Sequence, residues 1–172
     1  IWSENEIDIL ETLAVNISLS FERNINESII FESEERFKLL ANNIPGTVYL
    51  SKFDEDSTKV YLNDEIETLT GYSKSEFLES KISYLELIHP DDLEWVIKKE
   101  KEAISKRQKI HSIYRIIHKN NTIVWVEEFA EAIIKDGEIT FIEGIFIDIT
   151  ERKEKEKAIQ DKEIAEASNK AK

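Results

Sequence analysis

The sequence of 172 residues has no cysteine, no methionine, only two prolines and only four glycines. The lack of cysteine excludes disulfides, thiolate metal sites, cysteine nucleophiles and thiol adducts to a flavin. The glycines form neither a phosphate-binding loop nor a dinucleotide fingerprint, so we expect no ATP site and no enzymatic activity in these residues. No apolar run approaches the roughly 18 to 20 residues that cross a bilayer, and we therefore expect no membrane contact by this chain.

Basic side chains are also in the minority. The chain carries 36 acidic and 23 basic residues, which gives a formal net charge of -13. Because nucleic-acid binding depends on clustered lysine and arginine, this balance argues against a nucleic-acid partner. The sequence starts at Ile1 and has no methionine, so we expect it to be a piece of a longer protein. Its length is typical of one globular domain with helical extensions.

A long helix is expected before the first proline. Apolar side chains recur there at steps of three and four residues, which predicts one stripe along a helix and a dimer contact through it. The stripe comprises Ile7, Leu10, Ala14, Ile17 and Phe21. It then changes phase, so the stretch is one long helix or two helices with a break at 24–28. A second amphipathic stretch ends at Pro45, and we expect it to cover one face of the following sheet.

The middle of the chain alternates between strand and helix patterns. Two β-prone runs, at 47–53 and 59–63, precede short helices at 64–70, 73–80 and 84–88 and a longer helix at 91–105. Three longer strands follow at 110–118, 122–135 and 138–149, and we expect two-residue turns at Asn120-Asn121 and Asp136-Gly137. These strands are apolar on both faces, so both faces must be covered, one of them by the helices of 64–105.

Several short motifs occur in a fixed order along this region. They are Tyr61-Leu62-Asn63-Asp64, Leu69-Thr70-Gly71-Tyr72-Ser73, Ile88-His89-Pro90-Asp91-Asp92, Tyr114-Arg115, Trp125-Val126, Asp136-Gly137, Gly144 and Asp148-Ile149-Thr150-Glu151-Arg152-Lys153. With them the sequence resembles a PAS domain with its PAC motif, although Asn120-Asn121 replaces the family's usual Asp-Gly turn. The resemblance implies an α+β fold: a five-stranded antiparallel sheet with short helices on one face, a long N-terminal helix and a C-terminal connector helix.

The resemblance divides the chain into three parts. Residues 1–32 look like a signalling helix that closes a GAF-like domain, residues 33–150 like the PAS domain, and residues 151–172 like a connector helix leading to a kinase dimerisation domain. The stretch 165–172 is similar to the sequence that precedes the phosphoacceptor histidine of sensor histidine kinases. We therefore expect the chain to come from a bacterial or archaeal two-component sensor kinase, with the kinase domain downstream in the same chain.

Short helices over an apolar sheet suggest an internal ligand pocket, because each helix buries little area and can shift at modest cost. The alternative is that the same side chains only fill a close-packed core. The candidate lining residues are Val48, Leu50, Ile66, Leu69, Tyr72, Phe77, Tyr84, Val96, Tyr114, Trp125 and Phe129. The occupant would be an unidentified small molecule, and a non-covalent flavin stays open.

Haem and metal are disfavoured. Haem-binding PAS domains offer a histidine from the helix before the long strands, and the helix at 91–105 has none. His111 and His118 are seven apart on one strand, so they face opposite sides and cannot share a metal ion. His89 precedes a proline, where a role in a loop or helix cap is expected. The acidic pairs Asp91-Asp92 and Glu127-Glu128 are explained by capping and by solvation.

The end of the last strand is the expected output point. Asp148 is a carboxylate in an otherwise apolar strand, and we predict that it pairs with Arg115. Thr150 would cap the connector helix. The resemblance implies that Asp148-Ile149-Thr150 couples the sheet to this helix.

We thus expect a cytoplasmic sensory module of a two-component phosphorelay, whether or not the parent is anchored in a membrane. It would form a homodimer through the N-terminal helix and the PAS domain. Three alternatives remain at this point: a ligand-free dimerisation and relay spacer, a cofactor-bound redox or light sensor, and a sensor of a cyclic-dinucleotide cyclase or phosphodiesterase.

Overall fold

The computed structural model describes the backbone of residues 4–170 and the side chains of residues 16 and 19–167. The chain divides into two compact units, residues 1–41 and 42–172. Helix α1 spans Glu4–Asn42 without a break at 24–28, so the single-helix alternative is correct. The absence of proline and glycine from this stretch explains its continuity, since those residues most often interrupt helices.

The five strands form one antiparallel sheet. They are β1 (Thr47–Lys52), β2 (Lys59–Leu62), β3 (Ile110–Ile117), β4 (Ile123–Lys135) and β5 (Glu138–Asp148). Their order across the sheet is β2-β1-β5-β4-β3, so the last strand along the chain lies in the centre. This arrangement confirms the expected α+β fold with five antiparallel strands.

Three short helical segments and one longer helix lie between β2 and β3, as the sequence predicts. They are α2 (Glu65–Thr70), α3 (Lys74–Leu78), a 3-10 turn (Tyr84–Leu87) and α4 (Pro90–Ser105). Gly71 ends α2 with φ of 77°, a left-handed conformation that glycine adopts without strain. Ser73 precedes α3, and its backbone N–H donates to the Glu76 carboxylate at 2.7 Å, as in a capping box. Helix α5 (Thr150–Lys170) leaves the end of β5.

The two hairpin turns differ from each other. Asp136 and Gly137 both have positive φ, at 54° and 88°, and form the expected two-residue turn between paired Lys135 and Glu138. The turn between β3 and β4 is longer than expected, because the His118 N–H donates to the Thr122 carbonyl and leaves three residues between them. The Asn120 side chain accepts a hydrogen bond from the Thr122 N–H and stabilises this wider turn.

The core lies between one face of the sheet and the helices α2 to α4. Its members include Tyr49, Leu62, Ile66, Phe77, Tyr84, Val96, Tyr114, Ile116, Val126, Ile142 and Phe146. The structure thus covers one sheet face with the helices of 64–105, as expected. The expected cover of the other face by the stretch before Pro45 stays a prediction.

Candidate functional site: a charged interior and a helix junction

The sheet face toward the helices carries polar side chains as well as apolar ones. Alternation along β1 places Thr47, Tyr49 and Ser51 on this inner face, opposite Phe146, Gly144 and Ile142 of β5. A side chain at Gly144 would lie 2.8 Å from the Tyr49 hydroxyl and 2.6 Å from the Phe129 carbonyl. The glycine therefore allows the Tyr49 side chain to cross β5 and reach β4.

Glu128 is partly buried and lies at the centre of this face. The Tyr49 hydroxyl donates to its Oε1 at 2.5 Å, and the Tyr114 hydroxyl donates to its Oε2 at 3.1 Å. Burial raises the pKa of Glu128 and outweighs the tyrosine hydrogen bonds and nearby Lys59, which lower it. The expectation that Glu127-Glu128 lies on a solvated face is therefore wrong for Glu128, because its position along β4 points it into the core.

Lys59 is the buried cation of the interior. It is 6% exposed, and its Nζ donates to Ser51 Oγ at 2.8 Å and to Ser57 Oγ at 3.3 Å. The ammonium lies 4.4 Å from the centre of the Tyr49 ring, a distance typical of a cation–π contact. Burial lowers the pKa of Lys59 to about 8. We call Lys59, Glu128, Tyr49, Tyr84 and Tyr114 the interior polar cluster.

Glu100 of α4 adds a second carboxylate near this cluster. Burial and, to a lesser extent, the charge of Glu128 raise the pKa of Glu100 to about 7, and the charge of Lys59 opposes the change. It also lines a cavity of about 480 Å³ together with Ile97, Ile104 and Ile142.

Three stacked rings separate the sheet from the 3-10 turn. Phe146 lies between Tyr49 and Tyr84, with ring centres 4.3 Å and 4.2 Å apart. The Tyr84 hydroxyl is near that of Tyr114, yet it makes no hydrogen bond of good geometry, and neither do the buried hydroxyls of Thr47 and Ser112. Buried polar atoms are nearly always paired in folded proteins, so these three hydroxyls are candidates for contact with a bound molecule or water.

The structure divides the eleven pocket candidates into two groups. Seven lie in the core or pack against it on the helix side, namely Ile66, Leu69, Tyr72, Phe77, Tyr84, Val96 and Tyr114. The other four, Val48, Leu50, Trp125 and Phe129, lie on the opposite face of the sheet, as their alternation with the inner-face residues shows. Phe129 is 42% exposed. These four residues do not line the interior, so their prediction as pocket residues is wrong. Because the strands are apolar on both faces, the sequence does not indicate which face is inside.

The sequence reading missed Lys59, Glu100, Glu128, Tyr49 and Ser51. One signal could have identified Glu128, since it is two residues from Val126 and from Ala130 and shares their face of β4. Lys59 gave no such signal, because a lysine at the start of a short strand is usually exposed.

The second candidate site is the junction between the sheet and α5. The Thr150 N–H donates to Asp148 Oδ1 at 2.8 Å, and the Thr150 hydroxyl accepts a hydrogen bond from the Trp125 N–H at 2.9 Å. The Ile149 N–H also donates to the Trp125 carbonyl at 2.9 Å. Asp148 thus caps the start of α5, and the Thr150 hydroxyl joins the helix to β4. The capping role that was expected of Thr150 belongs to Asp148. We call Asp148, Ile149, Thr150 and Trp125 the β–α5 junction.

The predicted pair between Asp148 and Arg115 is wrong. The Arg115 guanidinium binds Asp92 through two hydrogen bonds, from Nε at 2.9 Å and from Nη2 at 2.6 Å, and its backbone N–H donates to the same carboxylate. The hydrogen bonds from Arg115 lower the pKa of Asp92. The pair joins the start of α4 to β3. Because Asp92 is buried, its carboxylate needs these hydrogen bonds, and helix capping alone does not account for it.

Glu127 provides a further link from the sheet to α5. Its carboxylate accepts a hydrogen bond from Arg152 Nη2 at 2.9 Å and lies 2.9 Å from His111 Nε2. These contacts lower the pKa of Glu127, with the His111 hydrogen bond contributing most. The sequence gave no indication of this bridge between β3, β4 and the first turn of α5.

The histidines have local roles in the structure. His89 precedes α4, and its Nδ1 accepts a hydrogen bond from the Asp91 N–H at 3.2 Å, which confirms the expected cap. His111 stacks on Phe129 with ring centres 4.5 Å apart. Within the described part of the chain, no cluster of three acidic, histidine or cysteine side chains is arranged to hold a metal ion. No helix there has the length and apolar character needed to cross a membrane.

The interior does not fit a flavin in this arrangement. The stacked rings of Tyr49, Phe146 and Tyr84 fill the space where a planar ring system would lie against the sheet. The chain also offers no thiol for an adduct. Charged and hydroxyl groups beside small cavities are better suited to a small polar molecule.

Comparison with known proteins agrees with this architecture. A family model described as the PAS fold matches residues 59–146. A curated relative, the methyl sulfide methyltransferase-associated sensor of Methanosarcina acetivorans, is 31% identical over 132 residues, which is 74% of this chain but only 13% of the sensor's length.

Solved structures show the same fold. A sensory box histidine kinase/response regulator from Burkholderia thailandensis has 23% identity and a TM-score of 0.62, over 77% of this chain and 98% of that one. The N-terminal domain of a diguanylate cyclase with a PAS/PAC sensor from Marinobacter aquaeolei has 21% identity and a TM-score of 0.55, over 62% and 97%.

Proposed function

The chain belongs to the PAS family of sensor domains, and from this membership we propose that it is the sensory module of a two-component histidine kinase. It would receive a signal in its interior or from a preceding domain and pass it to α5. The module itself would have no enzymatic activity, and the phosphoryl transfer would belong to a kinase domain that follows in the same chain.

The β–α5 junction is the observation that supports this proposal. Side chains and backbone of Asp148, Ile149 and Thr150 make three hydrogen bonds within one turn, and two of them join the start of α5 to Trp125 of β4. Two cations also lie near the Trp125 ring, with Arg115 at 5.7 Å and Lys153 at 5.8 Å from its centre. A change in the position of β4 would therefore move the first turn of α5.

Signalling would then be a shift between two arrangements of α5. A ligand can favour one arrangement only by the difference in its affinity for the two. The interior polar cluster is connected to the junction by β4, since Glu128 and Trp125 are three residues apart on that strand. We place the working module in the cytoplasm, as a parallel homodimer in which the two α5 helices are close together.

The kinase assignment depends on residues 165–172, which resemble the sequence before a phosphoacceptor-histidine helix. The curated relative from Methanosarcina is named a sensor, which agrees with a signalling role. The likeness to a diguanylate cyclase PAS domain favours a second candidate, a sensor that controls cyclic-dinucleotide synthesis. The two candidates share the same module and differ only in the domain that α5 would control.

The test is the Asp148→Ala variant of the full-length parent protein. We expect basal output to remain and its regulation by the stimulus to be lost, because the helix cap that holds the first turn of α5 has been removed. Histidine autophosphorylation measures kinase output, and cyclic-dinucleotide formation measures the second candidate. Asp161→Ala, which removes an exposed carboxylate farther along α5, is the matched control.

Unchanged regulation in Asp148→Ala would contradict the relay. A parent that forms a cyclic dinucleotide and no phosphohistidine would replace the kinase with the second candidate. If full regulation survives when Lys59 and Tyr84 are replaced, while Asp148→Ala abolishes it, the module is a spacer that relays an upstream signal.

A further inference from the structure

Arg115 of β3 holds the first turn of α4 against the edge of the sheet. Because β3 is an edge strand, the backbone of Arg115 can bond to α4 on the side away from β4. Its N–H donates to the Asp92 carboxylate at 2.9 Å, and its carbonyl accepts a hydrogen bond from the His89 N–H at 2.8 Å. The guanidinium donates two more hydrogen bonds to Asp92, from Nε at 2.9 Å and from Nη2 at 2.6 Å. A two-point pair of this kind fixes the orientation of the guanidinium plane.

The same guanidinium lies next to Trp125 of β4. The register of the two strands places Arg115 directly opposite Trp125, and the guanidinium carbon is 5.7 Å from the centre of the indole ring. This distance is typical of a cation–π contact. Arg115 and Trp125 also line one groove of about 570 Å³ together with Thr150 and Lys153 of α5. The side chain that holds α4 therefore contacts the residue to which α5 is attached.

Trp125 is bonded to the start of α5 through its backbone. Its N–H donates to the Thr150 hydroxyl, and its carbonyl accepts a hydrogen bond from the Ile149 N–H, both at 2.9 Å. Direct contacts thus lead from Asp92 of α4 through Arg115 and Trp125 to α5. This series of contacts lies along the β3 edge of the sheet and does not include the interior polar cluster.

Helix α4 can move relative to β3 more easily than β3 can move relative to β4. The two strands share a continuous backbone ladder along the whole of β3. In contrast, α4 is attached to β3 by individual contacts, such as the hydrogen bond from Lys99 to the His111 carbonyl. Opening a few such contacts costs less than opening a ladder. Because α4 also places Val96 and Ile104 in the core, a change in the interior would act on this helix.

We propose that Arg115 is a positioning residue for α5, which by binding Asp92 holds Trp125, and with it the first turn of α5, in a fixed position relative to α4. A displacement of α4 would then loosen the start of α5, in addition to any change that passes along β4. This inference rests on the proposed function and names the helix whose movement the β–α5 junction would report.

The test is amide hydrogen exchange of the 172-residue chain carrying Asp92→Asn, which keeps the shape of the side chain and removes its charge. We expect exchange at the Trp125 and Ile149 amides to accelerate by about five- to ten-fold relative to exchange at the centre of β4. The ratio of the two rates is the readout, because a general loss of stability would accelerate both regions alike.

Asp91→Asn is the matched control. It removes the same charge from the same turn of α4, but the Asp91 carboxylate is 74% exposed and lies 3.6 Å from the Arg115 guanidinium. Exposed pairs at such distances contribute little, so the ratio should stay within about two-fold of that in the unaltered chain.

Arg115→Lys tests the other side of the pair and takes the place of Asp92→Asn if that variant does not fold. Lysine keeps the positive charge but cannot make the two-point pair, so the ratio should rise by about five- to ten-fold here too. The double variant should exceed either single variant by less than about two-fold, because both substitutions break the same contact.

Four outcomes would overturn the proposal: an unchanged ratio, equal acceleration at the centre of β4, an equal effect of Asp91→Asn, or independent effects that multiply in the double variant. Each is distinguishable from failure of the relay. If the ratio does not respond to Asp92→Asn but Asp148→Ala still abolishes regulation, the proposed function stands and only the role of Arg115 is wrong.

Discussion

At the scale of single residues, the unusual feature is the number of charged groups in the interior. Lys59 is buried, Glu128 is partly buried, and Glu100 lies close to both. Charged groups in a core cost stability unless they are paired, and these are stabilised by hydroxyl hydrogen bonds rather than by direct ion pairs. Such groups are retained more often for recognition or switching than for stability.

The Glu100→Gln variant should be more stable than the unaltered chain at neutral pH, because it removes one of these carboxylates. The native state keeps a proton on Glu100 up to about pH 7, whereas the unfolded chain loses it near the ordinary value of 4.5. The unfolded chain therefore binds fewer protons between these pH values, and stability falls as pH rises from 4.5 to 7. Glutamine removes this fall, so the variant should match the unaltered chain below pH 4.5 and be up to about 3 kcal/mol more stable above pH 7.

Urea unfolding at about pH 4, 5.5, 7 and 8 measures the difference. Glu94→Gln, an exposed position on the same helix, should change the unfolding free energy little at any of these pH values. Parallel stability curves for Glu100→Gln and the unaltered chain would show that Glu100 is not desolvated.

At the scale of elements, a side-chain oxygen joins β4 to α5 by accepting a hydrogen bond from a backbone N–H of the strand. The Thr150 hydroxyl accepts the Trp125 N–H, so the helix is attached to the strand at its first residue. The ion pair between Arg152 and Glu127 also joins the first turn of α5 to β4. Its arginine is half exposed, so the pair contributes little to stability by itself. The helix start should therefore be sensitive to the loss of one oxygen atom.

Thr150→Val tests this attachment, because valine has the same shape and no acceptor. Hydrogen exchange should accelerate by about ten-fold at the Trp125 amide and in the first turn of α5, while the centre of β4 stays protected. Thr150→Ser should restore the protection. Thr140→Val removes the hydroxyl that bonds the Ile133 carbonyl near the far end of the hairpin and should not affect Trp125. Unchanged exchange at Trp125 in Thr150→Val would refute the role of this hydroxyl.

At the scale of the whole molecule, α1 carries many apolar side chains that the described chain leaves exposed. They include Leu19, Phe21, Ile25, Ile29, Ile30, Phe31, Phe37, Leu39 and Leu40. Phe21 is 64% exposed, and it belongs to the predicted seam. The side chains of the other seam residues, Ile7, Leu10, Ala14 and Ile17, lie outside the described residues. Exposed apolar side chains over this length are typical of a helix that pairs with another chain, so the homodimer stays our prediction.

Phe21→Lys with Ile25→Lys should convert the dimer to a monomer, because two charges would replace apolar side chains on one helix face. Sedimentation equilibrium of the 172-residue chain measures the change. Asn26→Lys with Ser33→Lys adds the same charge at exposed polar positions on another side of the helix and is the matched control. A monomeric unaltered chain, or a Phe21/Ile25 variant that still dimerises, would contradict dimerisation through α1.

Short stretches of sequence were sufficient to predict the helices and strands of this protein. The short helices and the Asp136-Gly137 turn lie where they were expected. Caps such as Gly71 and the Ser73 and Glu76 pair, and tight turns, depend on a few neighbouring residues. The PAS fold follows from the order of these elements. The assignment of Val48 and Phe129 to the interior was wrong. Apolar residues on both sides of a strand do not indicate which side faces the core.

The partners of the charged residues were decided only by the tertiary structure. Arg115 binds Asp92, 23 positions away, and Tyr49 binds Glu128, 79 positions away. The partner of Glu128 could not be inferred from nearby residues, because the contact depends on the register of β1, β5 and β4 together and on the space above Gly144. The amino-acid sequence by itself determined which segments become strands and helices. The packing of those segments decided which charges are brought inside, and these are the charges on which a sensor would depend.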